Sequence, residues 1–128
     1  MATTEYFPAV ATRGGVKRPF SEAVRVGDVL YLSGALGVDE TGGLVAGGIE
    51  AETRQTLANI GVILERHGSS LDRVVKATVM LADMGEWAAM NAVYLEHFGP
   101  DLPARSAFGT SGLALGGRVE IEVIATVG

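Results

Sequence analysis

Cysteine is absent from this chain of 128 residues, which removes disulfides, thiolate nucleophiles and cysteine-held metals from consideration. The absence suits a reducing compartment, and the cytoplasm is the expected location. Histidine is nearly absent too. His67 and His97 are the only two, each at the end of an expected helix, and neither has the i,i+4 partner of a helical metal site. A histidine there complements the helix dipole, so both read as structural. No apolar run approaches the roughly 18 residues of a membrane span. The opening MATTEYFPAV lacks the basic and then apolar regions of a secretion leader. Basic residues are outnumbered, with Lys and Arg together 10 against 15 Asp and Glu, for a formal charge of −5. Nucleic acids and anionic membranes need clustered cations, so neither is an expected partner. The short cluster Arg13, Lys17 and Arg18 reads as solvated surface. Serines occur without a G-x-S-x-G elbow, and the glycine-rich GTSGLALGG lacks the lysine and strand-to-helix setting of a phosphate loop. It reads as a tight turn.

What the chain has in quantity is apolar surface. Hydrophobic residues make up 48% and the mean hydropathy is +0.30. The length fits one domain, residues 1–128, able to bury about two-thirds of its unfolded surface. So much apolar residue in a small domain predicts burial against copies of itself.

Val24–Val26 and Val29–Leu32 read as strands around a Gly27-Asp28 hairpin turn. A second turn at residues 39–43 is expected to join strands 36–38 and 44–45, completing an antiparallel meander. Ile49, Thr53, Leu57, Ile60 and Leu64 recur at helical spacing, predicting a helix over about 49–67 with Gly68 at its C-terminus. Glu50 and Arg54 are placed as an i,i+4 surface pair. The stretch VVKATVML, residues 74–81, reads as a central strand. Asp83 and Glu86 form a capping-box variant opening a second helix through His97, with Trp87, Met90, Asn91, Tyr94 and Phe98 on one side. Gly99-Pro100 ends it, and two further strands follow. The order β-β-β-α-β-α-β-β predicts an α+β fold: a mixed sheet with both helices on one face and the other face in need of cover.

The last strand carries the chemistry. In residues 119–125, Val119, Ile121, Val123 and Ala125 share one face, and Glu120 and Glu122 share the other, about 6–7 Å apart. Two like charges there call for water or a cation, and Arg105 is the first candidate. A salt bridge that fixes one strand against another is one reading. A site is the other: Arg105 gripping a carboxylate through its planar fork, a glutamate handling a proton or water.

The segments PFSEAVRVGDVLYLSGAL, IEAETRQTLANI, VVKATV, PARSA and VEIEVIA together closely resemble the RidA family, also called the YjgF family, from about Arg18 to Ala125. The resemblance implies a chorismate-mutase-like α+β fold assembled as a homotrimer with clefts between subunits. It implies hydrolysis of reactive enamines and imines, such as 2-aminoacrylate and 2-iminopropionate, to 2-oxo acids and ammonia, without metal or organic cofactor. Residue by residue, Arg105 matches the arginine that binds the substrate carboxylate, and Glu120 the acid that positions water. Gly34 and Ala107 match positions lining the same cleft, with Ser33 and Asn91 nearby and Phe20 facing Arg105 across the subunit boundary. Glu122 is expected to pair with Lys76 or Arg118. Phe20 stands where the family pattern has tyrosine, Glu22 and Ala35 where it has glutamine, and Ala107 where many members have cysteine. Three cleft positions are therefore more apolar or smaller, which leaves substrate choice open. The rival readings are a non-catalytic 2-oxo-acid-binding module using the same cleft, a pathway-specific deaminase for a bulkier substrate, a ribonuclease and a holdase. The charge of −5 speaks against the ribonuclease.

Overall fold

The computed structural model describes residues 2–11 and 14–128. Six strands form one sheet: β1 (Thr4–Pro8), β2 (Ser21–Val26), β3 (Val29–Leu32), β4 (Val74–Leu81), β5 (Ala104–Gly109) and β6 (Val119–Thr126). Two helices are inserted, α1 (Gly48–Arg66) and α2 (Trp87–His97). The spatial order is β1-β2-β3-β6-β4-β5. Only β4 and β5 run parallel, as the α2 crossover between them requires, so the sheet is mixed. Arg13 of the expected basic cluster lies outside the described residues. Among the described residues, no helix is long and apolar enough to cross a membrane.

Period-two alternation on β4 and β6 builds the core. Val119, Ile121, Val123 and Ala125 are at most 1% exposed, and Ala77, Val79 and Leu81 are fully buried beside them. The apolar stripe of α1 lies across this face, together with Met90 and Tyr94 of α2 and Phe98 directly after it. Thr53 and Thr56 are buried inside α1, where each hydroxyl donates to a carbonyl four residues back. The opposite face has no helix over it. Its rows follow from the register: Tyr6, Val24, Tyr31, Ile124 and Lys76 in one, then Thr78 with Glu122, then Phe108, Met80 and Glu120.

Several expectations are corrected. The first strand is Thr4–Pro8, and residues 36–38 and 44–45 form only isolated bridges. The reason is a helix side chain. Asn59 donates its amide to the carbonyls of Leu36 and Val38, at 3.1 and 2.9 Å, which takes the groups a neighbouring strand would use. Arg54 reaches across to Glu96 of α2, at 3.3 Å, instead of to Glu50. Only half of the capping box forms: the Asp83 carboxylate accepts from the Gly85 amide, while Glu86 turns away to Arg118. The turn before α2 is accordingly a short 3-10 segment, Met84–Glu86. The chain leaves α1 as expected at Gly68, whose φ of 82° suits glycine.

Candidate functional site

The two residues that carry the chemistry point away from each other. In the β4–β5 register Arg105 sits beside Ala77, on the helix-covered face. In the β4–β6 register Glu120 sits beside Met80, on the open face. Within one chain the sheet therefore separates them, and Arg105 is not the cation that offsets Glu120 and Glu122. Period two decides this, since a residue's side follows from its strand register alone.

Arg105 lies on the edge strand β5, against α2. One terminal nitrogen donates to Asn91 Oδ1 at 2.7 Å. Its guanidinium carbon stands 4.7 Å from the Tyr94 ring centre and 5.5 Å from that of Trp87. No carboxylate of the described residues pairs with it. Ala107, two residues along the same strand and on the same face, packs its methyl against the core. Tyr94 is 3% exposed, and its buried hydroxyl has no hydrogen-bond partner among the described residues. Burial pushes the Tyr94 hydroxyl pKa up, with the Arg105 charge opposing. The sequence already held the signal for this cluster. Trp87, Asn91 and Tyr94 are spaced i, i+4, i+7, a pattern that reads first as core.

The other half of the site lies on the open face. Glu120 is partly buried, and among the described residues no hydrogen bond or ion pair engages its carboxylate. Burial, and then the neighbouring Glu122 charge, raise its pKa above the ordinary value. Gly34 faces it so closely that a methyl group there would overlap the carboxylate. Ser33 donates its hydroxyl to the Ser21 carbonyl at 2.6 Å, tying the loop after β3 to the start of β2. Phe20, directly before β2, is 48% exposed. Ala35 differs from the expectation for it. Its backbone pairs with Ile121 and its methyl packs against the core, so it widens no space beside Glu120. The expected partners of Glu122 are also engaged elsewhere. Lys76 reaches the Ser106 hydroxyl at 3.3 Å, and Arg118 is held by Glu86 at 2.9 Å with the buried Glu52 carboxylate behind it. Glu122 itself is exposed.

Neither histidine joins either half. His67 stacks on Phe7 and bonds the Glu22 carboxylate at 2.7 Å, and His97 bonds the Val93 carbonyl of its own helix. Among the described residues no cluster of His, Asp or Glu has the makings of a metal site.

Among the described residues, Arg105 thus has no acid partner on one sheet face and Glu120 no cation on the other. The family described as endoribonuclease L-PSP matches residues 11–127. The chain belongs to this family, the RidA or YjgF family. Among its relatives, the goat protein named 2-iminobutanoate/2-iminopropanoate deaminase is 49% identical over 111 residues, covering 86% of this chain and 81% of its own. The human protein of that name is 40% identical over 121 residues, 94% of this chain and 88% of the relative. The crystal structure of RidA from an Antarctic Psychrobacter superposes with a TM-score of 0.83 at 38% identity, covering 98% of each chain. Yeast Mmf1 gives a TM-score of 0.88 at 34% identity, over 98% of this chain and 100% of that one. The α+β fold with both helices on one face is thus the fold of its RidA-family neighbours.

Proposed function

We propose that this chain is a deaminase of 2-imino acids and their enamine tautomers, acting as a homotrimer with its sites between subunits. The observation that carries the reading is Arg105: a partly buried guanidinium, fixed in place, with no acid among the described residues to neutralise it. Such a group holds an anion, and its planar fork matches a carboxylate. The names of the relatives supply the class of carboxylate. Because Glu120 stands on the opposite face, the reading requires a second copy whose open face meets the Arg105 edge of the first. Such a head-to-tail contact closes into a three-membered ring when each copy is turned by a third of a circle from the last. The apolar row Tyr6, Val24, Tyr31 and Ile124 gives that contact surface to bury.

The chemistry is undemanding. Arg105 of one subunit holds the substrate carboxylate, with Asn91 and Ala107 lining that side. Glu120 of the next subunit, beside Gly34, Ser33 and Phe20, orients a water towards the iminium carbon and accepts its proton. A carboxylate with a raised pKa is a stronger base than an ordinary one. Attack gives a carbinolamine; the proton taken by Glu120 passes to its nitrogen, and as ammonia leaves the hydroxyl proton returns to Glu120, from which it leaves with ammonia as ammonium. The balance is one imino acid and one water to one 2-oxo acid and one ammonium. Phe20 offers no hydroxyl to this cleft, so its contact with substrate is apolar. The endoribonuclease activity in the family's description finds no support in charge. On β4 and β6 the open face carries Glu120 and Glu122 against Lys76, on a chain of net charge −5.

The experiment is subunit mixing. Arg105→Ala and Glu120→Ala are each assayed for hydrolysis of 2-iminopropionate, generated by an amino-acid oxidase with semicarbazide competing for it. Each alone is inactive. Mixed by co-refolding in equal amounts, they restore about a quarter of the wild-type sites, because a site is intact only where the correct neighbours meet. No recovery in verified mixed trimers would place both residues in one subunit's site and sink the arrangement. Wild type that binds a 2-oxo acid through Arg105 without turnover would leave a metabolite-binding module.

A further inference from the structure

Arg105 is held still without being neutralised. An arginine is usually fixed by a carboxylate, but that partner would cancel the charge and occupy the donors a ligand needs. Here the hold comes from one amide and two rings, all on α2 at i, i+4 and i+7. Asn91 Oδ1 takes one N–H at 2.7 Å. The ring faces of Tyr94 and Trp87, 4.7 and 5.5 Å from the guanidinium carbon, attract the cation through their quadrupoles and consume no N–H at all. The acids that flank these rings are already engaged. Glu86 is bound to Arg118 at 2.9 Å and Glu96 to Arg54 at 3.3 Å, so neither competes for Arg105.

We propose that Trp87 and Tyr94 are positioning residues that set the affinity of Arg105 for the substrate carboxylate; this rests on the deaminase reading above. The rings act through Arg105 and touch no reacting atom. The carboxylate keeps its charge from imine to oxo acid, so the hold contributes equally to ground state and transition state. Its loss therefore appears in KM and not in kcat. The Tyr94 hydroxyl has no partner among the described residues, so it is the ring that acts, and phenylalanine can replace it.

The test compares Trp87→Leu and Tyr94→Leu with Trp87→Phe and Tyr94→Phe, using 2-iminopropionate and an imine that lacks a carboxylate. Dissociation of the product 2-oxopropanoate is measured by calorimetry. Each leucine variant raises KM and the product dissociation constant by about 3- to 30-fold, with kcat within about 2-fold of wild type. Each phenylalanine variant recovers to within about 3-fold of wild type. The carboxylate-free imine is insensitive to all four. Trp87 is exposed, at 38%, so its leucine variant carries the test if Tyr94→Leu fails to fold. Leucine variants with wild-type KM would overturn the proposal, as would equal losses on both imines. Arg105→Ala separates the two readings. If it binds 2-oxopropanoate like wild type, the deaminase reading falls and the positioning role falls with it. If Arg105→Ala loses binding while the leucine variants keep it, the positioning role alone falls. Should wild type bind without turnover, the calorimetric constants decide the positioning role on the same scale.

Discussion

Gly34→Ala is the most informative single perturbation of the open-face half-site. The added methyl would stand 3.0 Å from Cδ and 3.2 Å from Cγ of Glu120 and overlap one carboxylate oxygen outright. Gly34 is not among the glycines with positive φ, so alanine brings no backbone strain. The obstacle is the end of a flexible side chain at the surface of the sheet, so the fold survives and Glu120 moves. Forcing that carboxylate out of a staggered rotamer costs about 0.5–1.5 kcal/mol. For a chain of this size about 1 kcal/mol corresponds to roughly 3–5 °C in Tm. The effect on catalysis is larger. A base displaced by about 1 Å loses on the order of 10²-fold in rate, near the lower end of what a positioned carboxylate supplies. The assay is 2-iminopropionate hydrolysis, run for Gly34→Ala, Glu120→Gln and the double variant beside thermal melting. The single variants are both slow, and the double variant is no slower than Glu120→Gln, because the methyl acts only through that carboxylate. A folded Gly34→Ala with wild-type kcat would refute the reasoning. So would an undiminished effect of the methyl in the Glu120→Gln background.

The Glu120 carboxyl titrates above its ordinary value of 4.5, by burial first and by Glu122 second, so Glu122→Gln moves the acidic limb of the activity profile to lower pH. The stability sign follows from proton counts. Between the ordinary and the raised value the folded state binds more protons than the unfolded one, so this group's contribution falls as pH rises through that window. Glu120→Gln therefore gains Tm over wild type at neutral pH, and the advantage shrinks as the pH falls through that window, with none left below about 4.5. A Tm difference that does not vary with pH would contradict it. On the helix side, Gly37→Ala drives a methyl to 2.6 Å from the Glu52 carbonyl oxygen and 2.9 Å from its Cα, backbone against backbone. Neither group can yield, so the loss is about 2–3 kcal/mol in denaturant unfolding, and a shift under about 0.5 kcal/mol would show the loop to be pliant.

Much of this protein was legible in its sequence because the signals are local and periodic. The stripe Ile49, Thr53, Leu57, Ile60 and Leu64 is the buried face of α1, and the alternation through residues 119–125 is the buried face of β6. Gly27-Asp28 turns β2 into β3 as its composition predicts. The short, exposed first strand carries no comparable pattern: Thr4, Glu5 and Tyr6 all face solvent, and it is held by pairing with β2. Residues 36–38 look like a strand by composition, yet Asn59, more than 20 positions away, takes two of their carbonyls. Alternation also placed Glu120 and Glu122 together on one side, while leaving open which strand neighbours them and where Arg105 points.

That last question belonged to the tertiary structure. Arg105 and Glu120 are 15 positions apart in the sequence, and nothing in their spacing says whether they meet. Strand order puts β4 between β5 and β6, and register puts Arg105 beside Ala77 and Glu120 beside Met80. Because adjacent rows of a sheet face opposite sides, that single register difference turns an apparent salt bridge into two half-sites. The sequence determined which residue types the chemistry has to work with. Pairing across the sheet, which no local pattern encodes, decided that one chain does not bring Arg105 and Glu120 together.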